Sequence, residues 1–103
     1  MYNPCSFGAR NLQHEFSAHA LDFGVIGPWN KANAELFQQA VQDHIEIASQ
    51  QIMGTYRGTM PVTHYYEPAT RLWAAVDASN MFAAGWKLSL VQEAYLLSTG
   101  NVQ

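Results

Sequence analysis

Along the first half of the chain apolar residues return every three or four positions, and after Gln51 they return every second one. That change of period predicts helices first and strands after. Leu12, Phe16, His19 and Ala20 fall on one face of a short helix over about 11–20, with Asn11 as its cap and Glu15 in its early turns. Asp22-Phe23-Gly24 ends it, since Gly24 is free to take positive φ. After a turn at 27–30, Asn30 or Asn33 caps a second helix over about 31–50. Its stripe is Ala34, Phe37, Val41, Ile45 and Ala48, extended by Leu36, Ala40, His44 and Ile47, and its polar side carries Glu35, Gln38, Gln39, Gln42, Asp43 and Glu46.

The alternating second half reads as strands over 52–57, 61–66, 71–76 and 81–88. Ser89 and Gln92 have capping-box spacing and open a last helix over about 90–99, which Gly100 closes. Helices followed by a short-loop meander predict an α+β fold. N-terminal helices pack on an antiparallel sheet of four strands, or five, and a short C-terminal helix follows. Alternation puts Phe82, Ala84, Trp86 and Leu88 on one face of the last long strand, with Ala83, Gly85 and Lys87 on the other. A glycine inside a strand marks a close approach to its backbone, here by a substrate or by the long helix at Gly85.

Composition narrows the class. A chain of 103 residues makes one domain, 1–103, and the 49% apolar share suffices for one core. Charged residues make up 13%, about half the usual ~25%, which excludes a coiled coil, an acidic tail and a histone-like basic binder. Five Lys and Arg against eight Asp and Glu give a net charge of −3, unlike a strongly electropositive nucleic-acid surface. The single cysteine, Cys5, allows no intrachain disulfide and no C-x-x-C zinc pattern. The longest apolar runs, 72–76 and 81–86, fall far short of the ~18 residues of a membrane span. The start Met1-Tyr2-Asn3-Pro4-Cys5 lacks the charged and apolar regions of a signal peptide, so for the chain to work outside the cell that made it something else must carry it there.

Hydrolase and nucleotide-binding motifs are absent. His14 and His19 would stand about 140° apart on a helix, a poor pair of metal ligands. No metal or cofactor is expected. A lone histidine is more often structural than catalytic. His44 reads as a boundary residue of the long helix and His14 as exposed, but His19 stands at a helix end, where side chains reach clefts. In the strands, Thr55 and Arg57 share a face, and His64 shares one with Val62 and Tyr66, opposite Thr63 and Tyr65. Trp86 suits a stacking platform for a base, although packing is the commoner use of such a residue. Aromatic strand residues near cations suit a nucleic-acid groove and equally a half-buried sheet. Composition and spacing leave the substrate open.

A series of blocks goes further. His19-Ala20-Leu21-Asp22-Phe23-Gly24-Val25, Trp29-Asn30-Lys31-Ala32-Asn33 and Gly54-Thr55-Tyr56-Arg57-Gly58 come first. Val62-Thr63-His64-Tyr65-Tyr66, then Gly85-Trp86-Lys87-Leu88-Ser89, then Gly100-Asn101-Val102 follow. In order and spacing, from about Phe16 onward, they resemble the colicin D-type nuclease domain of bacteriocins and contact-dependent inhibition effectors. The resemblance implies a small α+β ribonuclease toxin that cuts tRNA in the anticodon region without a metal. It implies a cognate immunity protein, and export within a larger effector to act in the cytoplasm of a target bacterium.

The family's catalytic histidine falls on His19, with Trp86 and Lys87 beside it and Arg57 or Lys87 as the cation that offsets phosphorane charge. Lys31, Thr55, His64 and Tyr65 are then candidates for substrate binding, and His64 is the rival as a second acid–base group. Two departures stand out: Gln13, His14 and Glu15 where lysines tend to precede the histidine, and Ala84 where a hydroxyl residue often precedes Gly-Trp. With five cations in all, a host protein that presents the tRNA is a further partner to consider. The alternative is a non-catalytic or differently targeted interaction module of the same fold.

Overall fold

The computed structural model describes residues 4–103. In chain order it has α1 Ala9–His19, a 3-10 turn Ala20–Phe23, α2 Lys31–Ile47, β1 Gln50–Tyr56, β2 Met60–Glu67, β3 Leu72–Asp77, β4 Phe82–Lys87, α3 Leu90–Thr99 and β5 Asn101–Val102. Met1, Tyr2 and Asn3 lie outside the described residues.

The α1 helix begins earlier than its expected cap. Gly8 holds the N-cap position, and Asn11 lies inside the helix, with its amide donating to the carbonyls of Phe82 and Ala83 at 2.9 and 3.1 Å. Asn30 caps α2 by accepting from Asn33 N–H at 2.8 Å. Helix α2 stops at Ile47, where Ala48 turns extended, so Gln50 already belongs to β1. Its buried stripe is Ala34, Phe37, Val41, His44 and Ile45. Leu36 and Ile47 do not extend it: they are 58% and 74% exposed, being rotated about 100° and 200° from Phe37 and Ile45. The Ser89–Gln92 capping box opens α3 and Gly100 closes it at φ 75°.

Five strands form one sheet in the order β4-β3-β2-β1-β5. The first four pair antiparallel as expected, but β5 runs parallel to β1, so the sheet is mixed. Close approach explains the pairing. A Cβ on Gly54 would lie 1.9 Å from the Gly100 carbonyl oxygen, so only glycine admits β5 there. That oxygen accepts from Thr55 N–H at 2.9 Å, and Val102 O accepts from Arg57 N–H at 2.7 Å.

Both faces of the sheet are covered. Helices α1 and α2 pack Leu12, Phe16, Phe37, Val41 and Ile45 against Ala74, Val76 and Phe82. On the opposite face Leu96 of α3 joins Tyr56, Val62, Tyr66, Trp73, Ala75, Leu88 and Val102. Strict alternation along β4 fails at one place. Ala75 pairs with Ala84 and Val76 with Phe82, so Ala83 is an extra residue. This bulge sends Phe82 to the α1–α2 face while Ala84 and Leu88 stay on the α3 face. Among the described residues no helix is long and apolar enough to cross a membrane.

Candidate active site

Helix α1 lies along the open edge of β4. Residues four apart on a helix rise about 6 Å, close to the ~6.6 Å between alternate strand residues. Asn11 and Glu15 can therefore address successive outward-facing groups of β4. Asn11 takes the carbonyls at the bulge, and the Glu15 carboxylate accepts from Gly85 N–H at 3.0 Å. Beyond the helix, Asp22 accepts from Lys87 N–H at 3.0 Å. Three side chains thus do for the edge strand what a sixth strand would. At Gly85 the close neighbours are the Trp73 carbonyl and the 3-10 turn, not α2: a Cβ there would stand 3.0 Å from Trp73 O and 3.1 Å from the ring of Phe23.

One turn beyond Glu15 comes His19, partly exposed at the end of α1. Its ring lies 4.9 Å from that of Trp86, tilted 34°. Trp86 is held from behind, its ring 4.6 Å from Trp73 and 6.2 Å from Tyr56. Its indole N–H points to Gln92 Oε1 at 3.4 Å, the oxygen that also closes the capping box of α3. Trp86 is therefore a packing residue on one side and a platform for His19 on the other. Lys87 follows it, exposed.

The turn between β1 and β2 supplies the remaining wall. Tyr56 is buried, and Arg57, exposed at φ 55°, lays its guanidinium 5.1 Å from the Tyr56 ring centre. Burial pushes the Tyr56 hydroxyl above its ordinary pKa, against the opposing charge of Arg57. Glu15, 5% exposed, is also pushed upward by burial, and the Gly85 N–H together with the charges of His19, His14 and Arg57 opposes that. His19, Trp86, Glu15, Tyr56 and Arg57 thus form one cluster.

The other candidates from the sequence stand elsewhere. His64 is 0% exposed: its Nδ1 accepts from the indole N–H of Trp73 at 2.9 Å, so Nε2 carries the proton and donates to Gly100 O at 2.8 Å. Burial holds its pKa below the ordinary value, and neither ring nitrogen is open to a substrate. Tyr65 packs against the α1–α2 core, and its carbonyl accepts from His44 Nε2 at 2.9 Å. His44 is therefore buried, not a boundary residue, because the β2 carbonyl satisfies it from inside. Thr55 donates its hydroxyl to Asn101 at 2.9 Å, and Lys31 is exposed in the first turn of α2. Ala84 is fully buried in the α3-face core.

Glu15, Tyr56, Asn11 and Asp22 were not singled out from the sequence as site residues. The available signal was the four-residue step from Asn11 to Glu15 to His19, which puts all three on one helical face. Among the described residues no three or more His, Cys, Asp or Glu side chains stand where they could hold a metal ion together.

Comparison with curated proteins finds no match. A solved structure, a ribonuclease from Escherichia coli complexed with its inhibitor protein, is similar at 25% identity and a TM-score of 0.74. The similarity covers 88% of this chain and 99% of that one. The Colicin D family model matches residues 11–96, a span that runs from α1 into α3 and contains His19, Arg57, Trp86 and Lys87, and the chain belongs to the Colicin D family.

Proposed function

We propose that this chain is the nuclease toxin domain of a larger exported effector. It is a metal-independent endoribonuclease that cleaves tRNA in the anticodon region, in the cytoplasm of a target bacterium, and a cognate immunity protein neutralises it. The observation that carries this reading is His19 resting on Trp86 at the end of α1 in a chain of this family. The similar ribonuclease, bound to an inhibitor protein, supports both the chemistry and the partner.

In this reading His19, neutral, takes the proton from a ribose 2′-OH. The oxygen attacks the adjacent phosphorus, and the bond to the 5′ oxygen of the next nucleotide breaks. The products are a 2′,3′-cyclic phosphate and a 5′-OH, with the leaving oxygen protonated from solvent or from the imidazolium. Trp86 fixes the imidazole, and Arg57 or Lys87 offsets the charge that builds on the phosphorane. His64 takes no part, since both its nitrogens are spent inside the fold. Five cations offer little counterion release, so a host protein that presents the tRNA is retained as a third participant. The immunity protein covers His19 and the neighbouring cations, over an interface of about 1,200–2,000 Å².

Incubation with total bacterial tRNA in EDTA tests the reading. Discrete fragments ending in a cyclic phosphate are expected. Two features favour a second reading, the buried Ala84 and the net charge of −3. Cleavage confined to rRNA or mRNA identifies a differently targeted toxin of the same fold, and no cleavage of any RNA a non-catalytic interaction module.

A further inference from the structure

Beside the His19–Trp86 pair, between α1 and the β1–β2 turn, opens a cleft of about 430 Å³, of whose lining the reaction just described uses Arg57 alone. Its walls include His14, Glu15, Tyr56, Arg57, Met81 and Phe82. The volume falls in the range of sites that hold a small organic ligand, roughly 300–1,000 Å³. It adjoins the reacting centre on two sides. Glu15 is one helical turn from His19, and the Tyr56 ring lies 6.2 Å from the Trp86 ring on which His19 rests.

We propose that this cleft is the subsite for the base of a nucleotide next to the scissile bond, selective for a base whose pairing edge presents N–H donors, guanine above all. The inference rests on the nuclease reading and adds a specificity element to it. Three features point to a base rather than to a bare phosphate. The floor carries carboxylates, Glu15 and Asp77, which repel an anion. Asp77 accepts from Ser79 N–H at 2.8 Å and Met81 N–H at 3.0 Å, both on Oδ1, so its Oδ2 adds acceptor capacity to the wall. Glu15 gives one oxygen to Gly85 N–H, which leaves the other as an acceptor toward the cleft it lines.

Guanine offers adjacent imino and amino donors to such an oxygen, whereas uracil offers one imino donor flanked by two carbonyls that the carboxylate repels. The platform is Arg57. Its guanidinium already lies over the Tyr56 ring, so its open face is free to stack a base. The exposed His14 and the charge of Arg57 at the rim suit the phosphate that leads toward His19.

The test uses the full chain carrying His19→Ala, which removes the proposed base and leaves the cleft intact. Backbone amide shifts are followed by NMR during titration with 5′-GMP, 5′-UMP and ribose 5-phosphate. Expected are shifts centred on Gly85, Arg57 and His14, and GMP affinity at least fivefold above UMP and tenfold above ribose 5-phosphate. Glu15→Gln keeps an acceptor for Gly85 N–H but offers the base an amide in place of a carboxylate, and should bring GMP and UMP within twofold. Arg57→Ala, at an exposed turn, should weaken GMP at least threefold and carries the test if Glu15→Gln does not fold. Equal affinity for the three ligands, shifts centred elsewhere, or a GMP preference untouched by Glu15→Gln overturns the subsite. Absence of RNA cleavage by the wild-type chain overturns the nuclease reading instead, because binding to the His19→Ala protein is read without any cleavage.

Discussion

His19 at the sheet edge and His64 on the α3 face each lie beside a tryptophan, and they end one file of rings. His19 lies 4.9 Å from Trp86, Trp86 4.6 Å from Trp73, and Trp73 6.0 Å from His64. At the outer end the imidazole is partly exposed and stacked. At the inner end it is sealed, and both nitrogens are committed, one to Trp73 N–H and one to Gly100 O. The same pair of residue types is thus a candidate proton carrier in one place and a strut in the other. Access and unspent hydrogen-bonding capacity decide which. The inner histidine joins β2, β3 and the end of α3, and so holds the floor on which the outer pair rests.

The largest expected effect breaks this contrast at its outer end. His19→Ala should lower RNA cleavage by at least ~10²-fold, the range for a positioned acid or base, with an unchanged urea midpoint. An equal loss per folded molecule from His64→Ala would erase the distinction between the two residues. Next in size is the inner end. His64→Ala should cost about 2–4 kcal/mol in urea denaturation, because it opens a cavity and leaves Trp73 N–H and Gly100 O unpaired. Its cleavage rate, measured where the variant is folded, should stay near wild type.

A smaller effect is expected at the edge strand. Asn11→Ala removes two bonds to the bulge carbonyls and should cost about 1–2 kcal/mol by the same measurement. Loss of cleavage beyond what unfolding explains would show that the bulge also sets the position of Trp86.

The smallest effect is a pH dependence of stability. Burial lowers the pKa values of His44 and His64 in the fold, so below about 6.5, their ordinary value, the unfolded chain takes up protons first. Their contribution is complete above that pH and is lost as pH falls toward the depressed folded values. Glu15 has the opposite sign. Its pKa is raised, so the cost of its buried charge is relieved as pH falls through the folded value toward 4.5. Urea midpoints at about pH 8 and about pH 5.5 should therefore fall with acid. The fall should be shallower in His64→Ala, which removes one of the two depressed histidines. A midpoint that rises with acid in the wild type contradicts the burial of the two histidines.

Much of the fold could be read along the chain because its signals are local. The apolar stripe of α2, the Ser89–Gln92 box and the positive φ of Gly24 and Gly100 each depend on residues within a turn or two of one another. The four-strand meander followed in the same way from alternation and short turns. Where alternation misled, the cause was non-local. A bulge at Ala83 turned Phe82 to the other face, and α1 stabilises that bulge from 72 positions away through Asn11.

By itself the sequence determined the helices, the strands, the family and the helix-end position of His19, since each rests on spacing within short blocks. Only the tertiary structure decided what surrounds those residues. It buried Glu15 against Gly85, sealed His64 between Trp73 and Gly100, and laid β5 parallel to β1 where Gly54 lacks a side chain. Whether a histidine or a carboxylate is a strut or an available group depends on desolvation and on partners that are distant in sequence. Neither property is carried by the residue or by its immediate neighbours.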